Sequence, residues 1–366
     1  MKGKVMSNAD YRKSEGISSS ELKQLMKTPA HYRYWKDNPE ETDSQALLFG
    51  RACHKYVLET YDFYNEFEVA KDFKYGTKED KAETQQFICQ KATELGKGAE
   101  WDSFIITNPK KEQVVDFYRG LIAGKDIITE EMFEQIDAMR NALLATPFVN
   151  KLIYGEHETS FFWTDELTGL KCKVRPDSIN HNLKIIVDYK TTDCAETEHF
   201  MRQAIRLGYD LQASYYLDGV KANLECSECN NKGIGYYDYK NKLYCKSCLE
   251  KKIKNEYIEK MKNDYSEEYF YQYLNEKTQN IPYFEDYIFV FIAQEKKPPY
   301  AVNILQADEI FIRSGRELYK SMLQTYKDCS ESGVWYGYMG NENQINLLGV
   351  PKWIENMLGE ESECDE

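Results

Sequence analysis

Apolar residues along this chain recur in two rhythms. Short apolar or alternating runs occupy 157–164, 170–179 and 183–190, and return at 287–294 and 299–306. Runs of this length and rhythm predict strands. Elsewhere the spacing is three and four residues, from Glu196 to about Asn223 and from Asp308 to about Cys329, which predicts two long helices. Near the N-terminus Ser18 and Glu21 form a capping-box pattern that opens a further helix. Strands mixed with helices predict an α/β protein. No apolar run approaches the roughly 18 residues of a membrane span.

The third predicted strand carries the chemistry. Ile185, Ile186 and Val187 run into Asp188-Tyr189-Lys190. Side chains alternate along a strand, so Asp188 and Lys190 project from one side and Tyr189 from the other. The link Asn180-His181-Asn182 is short and turn-prone, so the second and third strands read as a hairpin that brings Asp177 towards Asp188. Two carboxylates and a lysine at a sheet end suit phosphodiester hydrolysis. The carboxylates hold a hard cation through oxygen, and the amine orients water or steadies developing charge. By itself the pattern equally describes a surface hairpin with solvated charges.

The neighbours narrow the reading. Thr191-Thr192-Asp193 is a polar break, and the helix after it carries Gln212 and Tyr216 one turn apart on one face. Upstream lies Phe49-Gly50-Arg51-Ala52-Cys53-His54, and the tail contains Trp335-Tyr336-Gly337-Tyr338 and then Leu348-Gly349-Val350-Pro351-Lys352-Trp353. D-x₁₀-D-Y-K-T-T followed by Q-x-x-x-Y resembles the PD-(D/E)xK nuclease superfamily. It is most similar to the RecB-type and exodeoxyribonuclease VIII (RecE-like) branch, and the G-x-x-x-H element and the tail agree. The resemblance implies a restriction-endonuclease-like mixed sheet of four to five strands flanked by helices. It implies catalytic roles for Asp177, Asp188, Lys190, Gln212 and Tyr216. His54, Asp177, Asp188 and the Tyr189 carbonyl become the expected ligands of a catalytic Mg²⁺ or Mn²⁺, and Glu158 a further acidic contact. The implied activity is a metal-dependent exonuclease acting on double-stranded DNA ends in phage-type recombination or repair. The implied partners are DNA, a homo-oligomer and a single-strand annealing protein. A structure-specific or single-strand nuclease of the same superfamily, or a non-catalytic DNA-binding assembly module with the same fold, are the competing readings.

A second signal is Cys226-x-x-Cys229 and Cys245-x-x-Cys248, with fifteen residues between the pairs. That spacing predicts a four-cysteine structural zinc site in a small ribbon-like insert, with a hairpin between the pairs and Asn241 near its turn. Four thiolates leave no open position for water, so this zinc is expected to be structural. Some RecB-type nucleases hold an iron–sulfur cluster with one cysteine before the core and three after it. Here Cys329 and Cys364 are isolated, which argues against a cluster. Cys53, Cys89, Cys172 and Cys194 read as reduced thiols.

Charge qualifies the nucleic-acid reading without removing it. The 366-residue chain carries a net charge of −14, whereas affinity for nucleic acid comes largely from Lys and Arg on phosphates. Local distribution decides. Eight lysines face four acids between Asp238 and Lys262, and alternation puts Lys171, Lys173 and Arg175 on the face of Asp177, where they could lead phosphates inward. Much of the acidity lies elsewhere, including the tail Glu360-Glu361-Ser362-Glu363-Cys364-Asp365-Glu366. The tyrosines between Tyr257 and Tyr273 fit packing better than base stacking. The expected organisation is an N-terminal helical part (1–150), a nuclease core (151–223), the zinc insert (224–282), the rest of the core (283–358) and an acidic tail (359–366). Residues 60–128 carry no recognisable motif. The polar N-terminus has no signal-peptide pattern, and a cytoplasmic location is expected.

Overall fold

The structure is a computed structural model. It describes residues 3–38, 44–71, 73–122, 124–225, 227–230, 236–239, 242–261, 266–279, 287–339, 348–350 and 354. Cys226, Asn241, Tyr265 and the acidic tail lie outside the described residues.

Five strands form one mixed sheet: β1 (Glu156–His157), β2 (Ser178–Asn180), β3 (Ile185–Thr192), β4 (Ile288–Glu295) and β5 (Val302–Gln306). The spatial order is β5-β4-β3-β2-β1. β3 pairs antiparallel with β2 and parallel with β4, and β5 returns antiparallel along β4. The central place of β3 follows from its sequence. Ile185, Ile186 and Val187 are all buried, and consecutive apolar residues need cover on both faces of a sheet.

Five helices frame this sheet: α1 (Ser19–Leu25), α2 (Gln45–Leu58), α3 (Thr197–Arg206), α4 (Tyr209–Lys221) and α5 (Glu309–Ser332). On one face Ile186, Phe289 and Phe291 pack with Leu22, Phe200, Leu211, Tyr215 and Leu323. On the other, Ile185, Val187, Tyr189 and Ile292 pack with Ala52, Cys53 and Val57 of α2 and with Ile136 and Met139 of the helix Glu130–Ala145. Each buried Ile, Val, Leu, Phe or Met among them contributes roughly 1.5–3 kcal/mol by leaving water.

Three predicted elements are cut, and each cut has a local cause. The run 157–164 breaks after His157 because Glu158 adopts a left-handed conformation (φ 50°). The run 170–179 breaks around Pro176, which has no N–H to give a ladder. The outer pieces, Phe161–Thr164 and Lys171–Val174, pair with each other as a separate hairpin. The long helix from Glu196 divides into α3 and α4 at Gly208, which has φ +65°. There a Cβ would also stand 2.7 Å from the Met26 sulfur.

The stretch without a motif forms its own helical cluster around Ile88, Trp101, Val114 and Tyr118. The insert contains the expected hairpin, Tyr236–Tyr239 with Lys242–Cys245, followed by helices Lys246–Met261 and Glu267–Gln279. Tyr257 is buried against Phe270 and Tyr273, as packing rather than stacking predicts, while Tyr269 and Tyr271 are exposed. Among the described residues no helix is long and apolar enough to cross a membrane.

Candidate active site

The two strand breaks and the centre of β3 meet at one place. Pro176 ends the hairpin strand, and Asp177 sits just before β2. The Tyr189 backbone N–H donates to Asp177 Oδ2 at 2.7 Å. The N–H and C=O of one strand residue point to the same side, so the Tyr189 carbonyl also faces Asp177. The Tyr189 side chain goes to the opposite face of the sheet from Asp188 and Lys190. There its hydroxyl donates to Gln294 Oε1 at 2.6 Å and lies 3.3 Å from Cys53 Sγ. Gln294 in turn donates to the Met139 carbonyl at 2.7 Å. This buried network ties α2 to β3 from behind.

That tie explains how His54 reaches a residue far away in sequence. α2 starts at the Ser44 cap and buries Phe49, Ala52, Cys53 and Val57 along one stripe. His54 follows Cys53 and turns to the edge of the sheet. Its Nε2 lies 2.7 Å from Asp177 Oδ2 and its Nδ1 3.6 Å from Glu158 Oε1. Glu158 is held by its left-handed backbone, by its N–H donating to the Asp177 carbonyl at 3.3 Å, and by Arg175 Nε at 2.5 Å from its Oε2.

The charges in this trio settle on one proton. Burial alone would lower the His54 pKa, but Asp177 and then Glu158 outweigh it and push it up to about 9. Burial raises Asp177, yet the His54 cation, Lys190 and the Tyr189 N–H bring its carboxyl below the usual range. Burial and the Asp177 charge leave Glu158 raised despite His54 and Arg175. At neutral pH a protonated imidazole therefore lies between the Asp177 and Glu158 side chains.

Asp188 stands apart from the trio, fully buried. Its Oδ1 accepts from Gln212 Nε2 at 2.5 Å, and Oδ2 lies 2.6 Å from Lys190 Nζ. Burial and the nearby Asp177 charge raise its pKa. Burial would lower Lys190, but Asp188 and Asp177 raise it, so the ammonium keeps its proton. Lys190 Nζ lies 5.0 Å from the Tyr209 ring centre. Tyr216, one turn after Gln212, packs its ring against Phe289 at 6.2 Å and lies beside the Ser19 hydroxyl. It supports the sheet under the site.

A cleft of about 500 Å³ opens over these groups, lined by His54, Glu158, Arg175, Tyr189, Lys190 and Tyr209, with Arg12, Arg51 and Lys55 around them. One expected phosphate guide is not there. Lys173 is buried, and its amine donates to the carbonyls of Tyr11 (3.0 Å), Arg12 (3.3 Å) and Ser14 (2.6 Å). Alternation correctly put it on the Arg175 face, but the N-terminal segment covers that face. Lys171 pairs with Glu15 at 2.6 Å. Only Arg175 of the three reaches the cleft.

Of the expected ligand set, the structure brings His54 and Asp177 into contact, adds Glu158 and keeps Asp188 on Lys190. One ligand atom from each of His54, Glu158 and Asp177 lies within 4.8 Å of the others. Two carboxylate oxygens and an imidazole nitrogen suit Mg²⁺, and Mn²⁺ even better. In the insert, Cys229, Cys245 and Cys248 form a second such group, with Cys229 Sγ 3.8 Å from Cys245 Sγ. Sequence reasoning missed Lys23, whose Nζ donates to Gln212 Oε1 at 2.6 Å. The capping box placed its helix, but nothing local indicated which way Lys23 points.

No curated protein matches the chain. A solved structure from Eubacterium rectale, described as a "Putative exonuclease", aligns over 96% of this chain and 98% of that one, at 13% identity and a TM-score of 0.47. A likeness that distant carries no argument about activity. A family model described as a PDDEXK-like domain of unknown function (DUF3799) matches residues 18–231, more than half of the chain, and the chain therefore belongs to that family.

Proposed function

We propose that this protein is a metal-dependent deoxyribonuclease that hydrolyses phosphodiester bonds at double-stranded DNA ends, in phage-type recombination or repair. The observation that carries the reading is the meeting of the His54–Asp177–Glu158 trio and the Asp188–Lys190 ion pair at one cleft, whose wall shows His54, Glu158 and Lys190 with the two aspartates buried behind them. His54, Asp177 and Glu158 would hold a divalent cation, with the Tyr189 carbonyl on the same side and Asp188 within the same site. Such a cation, when bound, supplies an acidified water and a counter-charge for the phosphate.

The chain's own residues do the rest. Lys190 keeps its charge beside Asp188 and presents N–H donors to the attacking water or to a non-bridging phosphate oxygen. Gln212 fixes the Asp188 carboxylate, and Tyr216 packs against Phe289 of the neighbouring strand β4. At the cleft mouth Arg12 adds a cation, while Arg51 is paired with Asp126 at 2.9 Å and Lys55 with Glu66 at 2.8 Å, pairs that a phosphate would have to open. Cys226, Cys229, Cys245 and Cys248 would hold a structural zinc that orders the insert.

Linear and circular duplexes, incubated with and without Mg²⁺ or Mn²⁺, test this. Linear DNA should be degraded from its ends only with metal, and circular DNA should survive. Lys190→Ala should lower the rate at least a hundredfold, on the order expected for a lost charge-stabilising group. Cleavage of circles would make the enzyme an endonuclease, and absence of cleavage with every metal would remove the nuclease reading.

A further inference from the structure

Lys23 is a group outside the expected set that hydrogen-bonds to the site's Gln212. It projects from α1, whose other face buries Leu22 and Leu25 in the main core. Its Nζ is 2.6 Å from Gln212 Oε1 and 4.8 Å from the Tyr209 ring centre. Lys190 sits on the same ring at 5.0 Å. Lys23 and Lys190 thus share one aromatic ring, and they reach Asp188 by different routes. Lys190 touches Oδ2 directly, whereas Lys23 touches the amide that holds Oδ1.

A primary amide has two ends of opposite character. Burial, and then Lys190, lower the Lys23 pKa to about 7; protonated or neutral, its amine can donate, while an ionised carboxylate only accepts. A glutamine between them has one satisfactory orientation, oxygen to the lysine and nitrogen to the aspartate. Without the lysine, Asp188 still favours the nitrogen end, but the Gln212 oxygen is left without its donor. A buried oxygen without a donor is costly, so the amide shifts to find one and loosens its hold on Asp188 Oδ1.

We infer that Lys23 is a positioning residue of the active site: it sets the amide of Gln212, and through it the orientation of the buried Asp188 carboxylate. The inference rests on the nuclease reading for its effect on rate, but its structural content stands without it. Lys23 makes its contacts with Gln212 and Tyr209 and reaches Asp188, Asp210 and Asp177 only through space. Its loss therefore acts on turnover and leaves the grip on DNA at the cleft rim unchanged.

The test is a double-mutant cycle with Lys23→Met, Gln212→Met and the pair, and with Lys23→Arg and Lys23→Gln alongside. Lys23→Met should reduce kcat roughly tenfold or more, the worth of a hydrogen bond to a charged group, with KM unchanged. Lys23→Arg should restore most of it. The double variant should be no slower than Gln212→Met alone, because residues that act in series do not add. If Lys23→Met does not fold, Lys23→Gln, which has no charge, takes its place in the cycle. In ¹⁵N-labelled protein the Gln212 side-chain amide pair, assigned by its loss in Gln212→Met, should be sharp in wild type and Lys23→Arg but broadened or averaged in Lys23→Met. Wild-type kcat in Lys23→Met, rate losses that multiply in the double variant, a rise in KM alone, or an unchanged amide signal would each overturn the inference. Wild-type protein that cuts no DNA would instead overturn the nuclease reading, leaving the amide signal to decide the role of Lys23.

Discussion

At the scale of single residues, the site is organised by where protons and charges rest. With its pKa pushed up to about 9 from 6.5, His54 contributes stability to the metal-free protein that is fully present below about pH 6.5 and is lost as pH rises through about 9. The same proton opposes metal binding, since the imidazole must be neutral to act as a ligand. Calorimetric titration with Mn²⁺ should show apparent affinity rising up to tenfold per pH unit between about 6.5 and 9. His54→Ala should bind Mn²⁺ more weakly and with a much flatter pH profile, while its zinc content stays the same. An unchanged profile would place His54 outside the metal site.

Residue by residue, legibility in the sequence followed the range of the interaction. Asp188 and Lys190 were readable because strand alternation is local, and their ion pair lies on the expected side of β3. Gln212 was readable by helical spacing, and it reaches Asp188. Lys173 was placed on the correct face but given the wrong surroundings, because burial by residues 11–14 is a tertiary fact. The contact of Glu158 with His54 depends on one left-handed residue that no strand pattern reveals.

Among the elements, the packing of α5 on α4 does most to hold the helix that carries Gln212. Arg316 makes two 2.7 Å bonds to Asp218, and Tyr319 adds a third at 2.6 Å to the same carboxylate. The two helices come together closely at Gly315, where a Cβ would stand 1.9 Å from the Asp210 carbonyl oxygen. Alanine usually gains about 1 kcal/mol over glycine within a helix. Here the backbone clash should outweigh that and destabilise the protein by about 3 kcal/mol. Gly50 on α2 is the control, since a Cβ there meets nothing within 4 Å. Denaturant unfolding should find Gly315→Ala less stable than wild type and Gly50→Ala more stable. The opposite order would refute the close approach. Sheet membership was legible in outline, since the fold is the expected mixed sheet flanked by helices. The strand ends were not, because Pro176 and Glu158 decide them one residue at a time.

For the whole molecule, two metal populations should be separable. Elemental analysis after gel filtration is expected to find about one zinc per chain, while Mg²⁺, which keeps several waters and takes few protein ligands, washes out. Cys229→Ser with Cys245→Ser should lose the zinc, and stoichiometric zinc in that variant would refute the four-cysteine site. The chain carries a net charge of −14, but the cleft is lined by five bases (Arg12, Arg51, Lys55, Arg175 and Lys190) against three acids (Glu59, Glu66 and Glu158), a local balance that differs in sign from the whole.

The amine of Lys173 also governs how the protein tolerates shortening. Residues 3–16 look like a dispensable polar leader, yet they supply all three carbonyls that solvate this buried ammonium. Deleting residues 1–16 would remove these acceptors together with the cover they provide, leaving the amine to water and baring the Phe162 ring that Tyr11 packs against. A chain trimmed in this way should be less stable and express poorly. Lys173→Met, which in the full chain strands three carbonyls without their donor, should cost much less in the trimmed one, a difference that yield and melting temperature would both register.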